Sequence, residues 1–122
     1  MTIYQKRLRE LEERTVKFSI AIVQTLGPYS SSPSLKSIVD QVIRSAGSIG
    51  ANYAEANNAS SKADFRSKIY IAKKESGETR YWLRILSELI RNKELAALEQ
   101  EALELNLIFQ KITSSLEMSN GK

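Results

Sequence analysis

Apolar residues return at steps of three and four along most of the chain, the spacing that places them on one face of a helix. The first such segment runs from about Gln5 to Leu26. Leu8, Leu11, Thr15, Phe18 and Ile22 form its stripe, which Val16, Ile20 and Val23 are expected to widen. Gly27 and Pro28 then supply a helix stop. Ser32 and Pro33 predict the next start, as cap and first helical residue. The second helix carries Leu35, Ile38, Val39, Val42, Ile43, Ala46, Ile49, Gly50, Tyr53 and Ala54, and ends at Asn57 or Asn58. The third begins near Ser61, which can form a capping box with Asp64. Its stripe runs through Phe65, Ile69, Ala72, Ser76, Thr79, Leu83, Leu86 and Ile90, and it ends near Asn92. The fourth has the cleanest seam, with Leu95, Leu98, Ala102, Leu105, Phe109, Ile112 and Leu116 alternating steps of three and four.

Long helices joined by short connections predict an all-α, antiparallel up-down-up-down four-helix bundle, and no segment reads as a strand. With 122 residues the chain is expected to be a single domain over 1–122 with short flexible termini, fraying from Met118 onward. Trp82, Ile85 and Leu89 add a second apolar stripe to the third helix. Either this stripe faces another subunit, a place that suits a large aromatic with a polar edge, or the core stripe is wider there.

"RSAGSIGANYAEA", from Arg44 to Ala56, sets small residues between larger ones inside the second helix. Gly47 and Gly50 each cost about 1 kcal/mol of helix propensity relative to alanine, so a close helix–helix approach is the expected compensation. Arg44, Asn52 and Glu55 need another reason. Folding the second helix against the third places Asn52 and Glu55 near the start of the third, and Arg44 near Gly77 and Glu78. Arg44 and Glu78 are therefore expected to pair, with Gly77 making room. Lys74 and Glu78, four residues apart, are expected to form a surface pair.

Composition removes several kinds of chemistry. There is no histidine and no cysteine, which excludes Ser–His and Cys–His catalysis and the imidazole and thiolate metal sites. Glu55, Glu75 and Glu78 are the carboxylates near the polar stretches, and nearby lysines make ion pairing the simpler use of Glu75 and Glu78. No catalytic residue, metal or cofactor is expected, and the chain reads as non-enzymatic. It has no apolar run of membrane-spanning length and no apolar block of a signal peptide, so a cytoplasmic protein without a membrane partner is expected.

A net charge of +4 permits contact with a polyanion. Lys62, Arg66, Lys73, Arg80, Arg84 and Arg91 stay within roughly 40° of one another around the third helix. That ridge can follow phosphates of RNA or DNA. Asp64, Glu75 and Glu88 intersperse opposite charge, and Arg84 and Glu88 have ion-pair spacing, so a solvated mixed face is the competing explanation. No stacking aromatic is interleaved with the ridge, which favours sequence-tolerant backbone contact. A scaffold for protein partners, using the surface around Trp82, is the alternative function.

The opening stretch, with Phe65, "YIAKKESGET" from Tyr70 to Thr79 and "YWL" from Tyr81 to Leu83, resembles the four-helix-bundle family that includes proteins encoded within 23S rRNA intervening sequences. It is also similar to the accessory variability protein of diversity-generating retroelements. The family pattern falls on Arg44, Ser48-Ile49, Asn52 and Ala54-Glu55, and on Ser76 and Glu78 of the third helix. Ala56 stands where the family has glycine. The resemblance implies a homopentamer around a central channel and supplies no catalytic residue. Accessory members are thought to bind nucleic acid and a reverse transcriptase.

Overall fold

The computed structural model describes residues 1–120. It contains α1 (Ile3–Leu26), a 3-10 turn (Gly27–Ser31), α2 (Lys36–Asn57), α3 (Lys62–Leu89) and α4 (Leu95–Asn120), with no strand among the described residues. Contacts between neighbours run in opposite directions. Gly50 of α2 meets Thr15 of α1 while Gly47 meets Ser19; Glu55 pairs with Lys68 while Arg44 pairs with Glu75; and Arg84 faces Glu99 while Ser76 meets Asn106. Those pairings define an antiparallel four-helix bundle. None of the described helices is long and apolar enough to cross a membrane. The α4 helix is described through Asn120; Gly121 and Lys122, the end of the tail expected to fray, lie outside the described residues.

The helix ends repay their side chains unevenly. Thr2 and Gln5 form a complete capping box that starts α1 two residues earlier than the apolar spacing implies. Ser61 accepts from the Asp64 amide, the first half of the box expected there. Gly27 is not a left-handed stop, because its φ is −49° and the chain winds on into the 3-10 turn. Ser32 caps α2 with its carbonyl instead of its hydroxyl, accepting from the Leu35 and Lys36 amides, so regular helix begins at Lys36. The α3 helix stops at Leu89, short of Asn92.

The core takes Phe18, Ile22 and Leu26 from α1, Val39, Val42, Ile49 and Tyr53 from α2, Ile69, Leu83 and Leu86 from α3, and Leu95, Leu105 and Phe109 from α4. Tyr53 and Phe109 meet edge to face with centroids 5.6 Å apart. Burial raises the Tyr53 hydroxyl pKa, against a hydrogen bond with Asn57 that lowers it. Val16, Ile20 and Val23 do not widen the α1 core stripe: they are 44%, 50% and 47% exposed. They sit on the side of α1 turned away from its neighbours, which periodicity alone cannot distinguish from the inner edge of the stripe. Trp82 packs partly against the core and, like Ile85, is partly exposed, while Tyr81 and Leu89 are the fully outward apolar residues beside them on α3.

Helices α2, α3 and α4 pack along their lengths, and α1 packs on α2, but α1 and α4 touch only lightly. An open groove of about 640 Å³ lies between them, floored by Phe18, Ala21 and Leu98. Arg14 spans it, with Nε 2.6 Å from Glu101 and Nη2 2.7 Å from Glu104. Gln100 and Arg14 hold the Glu104 carboxyl below its ordinary pKa, and hydrogen bonding to Glu101, then Glu104, holds the Arg14 guanidinium above its own. A lowered folded pKa means that Glu104 contributes its full stability above the ordinary carboxylate range and loses it as pH falls through the folded value. Amide exchange in α1 should therefore accelerate relative to α3 as pH drops from about 5 to about 3. An Arg14→Gln variant should already show the faster α1 exchange at neutral pH, and equal exchange in the parent and the variant would mean that the clamp holds nothing.

Candidate functional site

Two polar systems flank α3, one on each side of its core stripe. Toward α2, the row Arg44, Ser48, Asn52 repeats every four residues and so lies along one edge of the helix. Its central partner is Glu75, 7% exposed. Arg44 donates to the Glu75 carboxylate at 3.2 Å and 3.5 Å, and the Ser48 hydroxyl donates to it at 3.4 Å. Asn52 donates to the Ser48 carbonyl and hydroxyl, which fixes the serine. Beneath this row the Thr79 hydroxyl donates to Ser45 at 2.8 Å, with both side chains buried. Every buried oxygen of this cluster thereby has a partner, as burial of polar groups requires.

The expected Arg44–Glu78 pair is present but secondary, at 3.7 Å on a half-exposed carboxylate. Glu75, assigned from sequence to surface pairing with lysine, is instead the inward carboxylate. A signal for it exists: Ala72, Glu75, Ser76 and Thr79 step by three, one and three, which puts Glu75 on the edge of the core stripe. Lys74 and Glu78 form no ion pair among the described residues. Glu55 is exposed and pairs with Lys68 at 3.0 Å, as its place near the start of α3 implies. Gly77 makes room for Asn106 of α4, 3.5 Å from where its Cβ would stand, and not for Arg44. Ser76 also turns to α4, where Asn106 donates to it and to the Lys73 carbonyl, both at 3.0 Å.

The basic ridge runs along this α4 side. Lys62 and Arg84 are exposed, while Arg66, Lys73 and Arg80 are partly laid down against the surface; Arg91, expected on the ridge, lies past the end of α3, where Ile90 turns extended, and so leaves the helical row. Arg84 faces Glu99 at 4.0 Å and not Glu88; the other five cations have no carboxylate partner among the described residues. Tyr70, four residues after Arg66 and three before Lys73, lies beneath the ridge: the Arg66 guanidinium is 5.1 Å and Lys73 Nζ 6.0 Å from its ring centre. Arg66 Nη1 and Arg80 Nε are shut away from solvent without a hydrogen-bond partner. The Tyr70 hydroxyl pKa is raised, by desolvation and then by a hydrogen bond to Glu117.

These features define a helical-bundle protein with an arginine–glutamate lock between α2 and α3 and a cationic outer ridge. The chain belongs to the 23S rRNA-intervening sequence protein family, whose pattern matches residues 9–111. It is also similar to the crystal structure of a protein of unknown function from the S23 ribosomal protein family of Bacteroides thetaiotaomicron. That protein is 31% identical, the match covers 88% of this chain and 97% of the other, and the TM-score is 0.78. No curated protein matches the sequence.

Proposed function

We propose that this chain is a non-enzymatic, self-assembling adaptor bundle that lays the α3 ridge along the backbone of RNA or DNA with little regard for sequence. What supports this is the fate of the neutralising carboxylates. Glu75 is committed inward to Arg44, and four cations of the α3 ridge, Lys62, Arg66, Lys73 and Arg80, have no acidic partner among the described residues. A mixed, self-satisfied charge surface would have paired them. Phosphate is the chemistry that meets a row of unpaired guanidinium and ammonium groups.

Assembly is proposed as a homopentamer, the state that the family resemblance implies. Two outward apolar faces agree with it, the exposed Val16, Ile20 and Val23 on α1, and on α3 the exposed Tyr81 and Leu89 with the partly exposed Trp82 and Ile85. Two different faces joining head to tail form a ring when the rotation closes. The same faces favour the second function, a scaffold for protein partners without a nucleic-acid role.

Replacing Arg66, Lys73 and Arg80 together by glutamine should weaken binding to structured RNA and duplex DNA at least about tenfold and flatten its salt dependence by about two to three phosphate contacts. The matched change of the exposed Lys6, Arg7 and Arg9 should have a much smaller effect. Anisotropy titrations at two salt concentrations measure both, with light scattering on the same samples to give the mass, near that of five chains. Equal losses from the two triples would reduce the ridge to net charge. No binding by the parent at low salt would favour the scaffold.

A further inference from the structure

The ridge begins at a cavity. At the end of the bundle where α1 starts and α2 turns into α3, a hollow of about 860 Å³ opens beside Lys62 and Arg66, the first two cations of the ridge. Leu8, Phe65 and Leu116, each packed against the core on one side, give it an apolar floor. Asn57 and Ser60 supply amide and hydroxyl groups at its wall. Among the described lining residues there are two cations and no carboxylate. Arg66 stands between this hollow and the shallower one beside Tyr70, with its guanidinium over the Tyr70 ring and its Nη1 buried without a hydrogen-bond partner.

An apolar floor, a few amide and hydroxyl groups and an unopposed cationic rim fit a ligand that is flat and apolar on one part and anionic on another. The volume is that of a small-molecule site. Continuity with the ridge selects the occupant. A strand whose phosphates follow Arg80, Lys73 and Arg66 arrives at this opening with its next base free to enter.

We infer that the cavity takes an unpaired nucleotide, with the base on the Leu8, Phe65 and Leu116 floor and its phosphate on Lys62 and Arg66. The protein then reads single-stranded segments and duplex overhangs in preference to blunt duplex, with little selection among bases because every base offers an apolar face. This rests on the ridge being a backbone contact, and it adds a second determinant that the ridge alone does not have.

The test compares three labelled probes by anisotropy with the full chain: a blunt duplex, the same duplex with a three-nucleotide overhang, and that duplex with an abasic overhang of equal charge. The base-bearing overhang should bind at least about fivefold tighter than the other two, the size of one stacked base. Ser60→Trp fills the cavity from an exposed turn position without changing charge. It should abolish the preference, and so should Arg66→Gln, with melting curves confirming that both fold. Lys73→Gln with Arg80→Gln should weaken all three probes and keep the preference. If the abasic overhang binds as tightly as the normal one, or if Ser60→Trp keeps the preference, the cavity does not hold a base. If blunt and overhanging duplexes bind equally while Lys73→Gln with Arg80→Gln weakens both, the cavity inference falls and the ridge stands. If no probe binds, both fall. If a polyglutamate peptide displaces the overhang as effectively as a single strand of equal charge, the site is for an acidic protein and the inference is overturned.

Discussion

A single methyl group at position 50 should destabilise the fold by up to about 2 kcal/mol, an overpacking cost of about 1–3 kcal/mol less about 1 kcal/mol regained in helix propensity. A Cβ on Gly50 would stand 2.7 Å from Thr15 Oγ1 and 3.0 Å from Thr15 Cβ. Thr15 cannot retreat, because it is buried, branched at Cβ and bonded through its hydroxyl to the Glu12 carbonyl. The alanine's gain in helix propensity, about 1 kcal/mol, is smaller than that clash. Gly47→Ala should go the other way. Its Cβ would meet only Ser19 Oγ at 3.8 Å, so the propensity gain of up to about 1 kcal/mol remains. Denaturant melts of the two variants read the difference directly. Equal shifts would mean that the α1–α2 contact at Thr15 is not what the second glycine serves.

The second large effect is at the lock between α2 and α3. Breaking a fully buried ion pair costs about 3–5 kcal/mol. The Arg44 side chain is 52% exposed and that of Glu75 only 9%, so water screens the pair and a coupling of about 1–2 kcal/mol is expected. The loss should be lopsided. Arg44→Met leaves a carboxylate inside the bundle with Ser48 as its remaining donor, whereas Glu75→Gln leaves a neutral amide and an arginine that reaches solvent. Arg44→Met should therefore destabilise more. A double-mutant cycle on Arg44 and Glu75, set against one on the exposed Lys36–Asp40 pair, gives the coupling. An Arg44–Glu75 coupling no larger than the surface pair's would remove the lock from the stability account.

Much of this architecture is legible in residue order, and the misses share one cause. Steps of three and four locate α4 from Leu95 because the stripe is buried from Leu95 to Phe109 and packs against the core beyond it. On α1 the same arithmetic admits Val16, Ile20 and Val23, since periodicity reports which residues share a face and not which faces find a partner. Glu75 and Glu78 differ by three positions on one helix, and only the rotation of α2 against α3 decides which one turns inward. Gly47, Gly50 and Gly77 read alike in sequence; their neighbours are Ser19, Thr15 and Asn106, each on another helix. Arg44, Ser48 and Asn52 were legible as a row, but their acceptor was not. The ridge was legible as an angular cluster, and so was Tyr70, four residues after Arg66 and three before Lys73 on the same helix; the hollow at its end depends on how α3 meets α4 and the start of α1.

The light seam between α1 and α4 bears on how the chain is made. Its joining residues, Arg14 with Glu101 and Glu104, are separated by 87 and 90 positions, whereas every other helix packs against its neighbour in sequence. Contacts between sequence neighbours close small loops and form early, and the longest loop carries the largest entropic cost. During synthesis α1 and α2 can zip through Thr15 and Gly50 as soon as both have left the ribosome, then α3, then α4. The Arg14 clamp closes the longest loop and has to wait for α4, so the bundle can assemble in order from its first helix and be fastened last across its first and fourth.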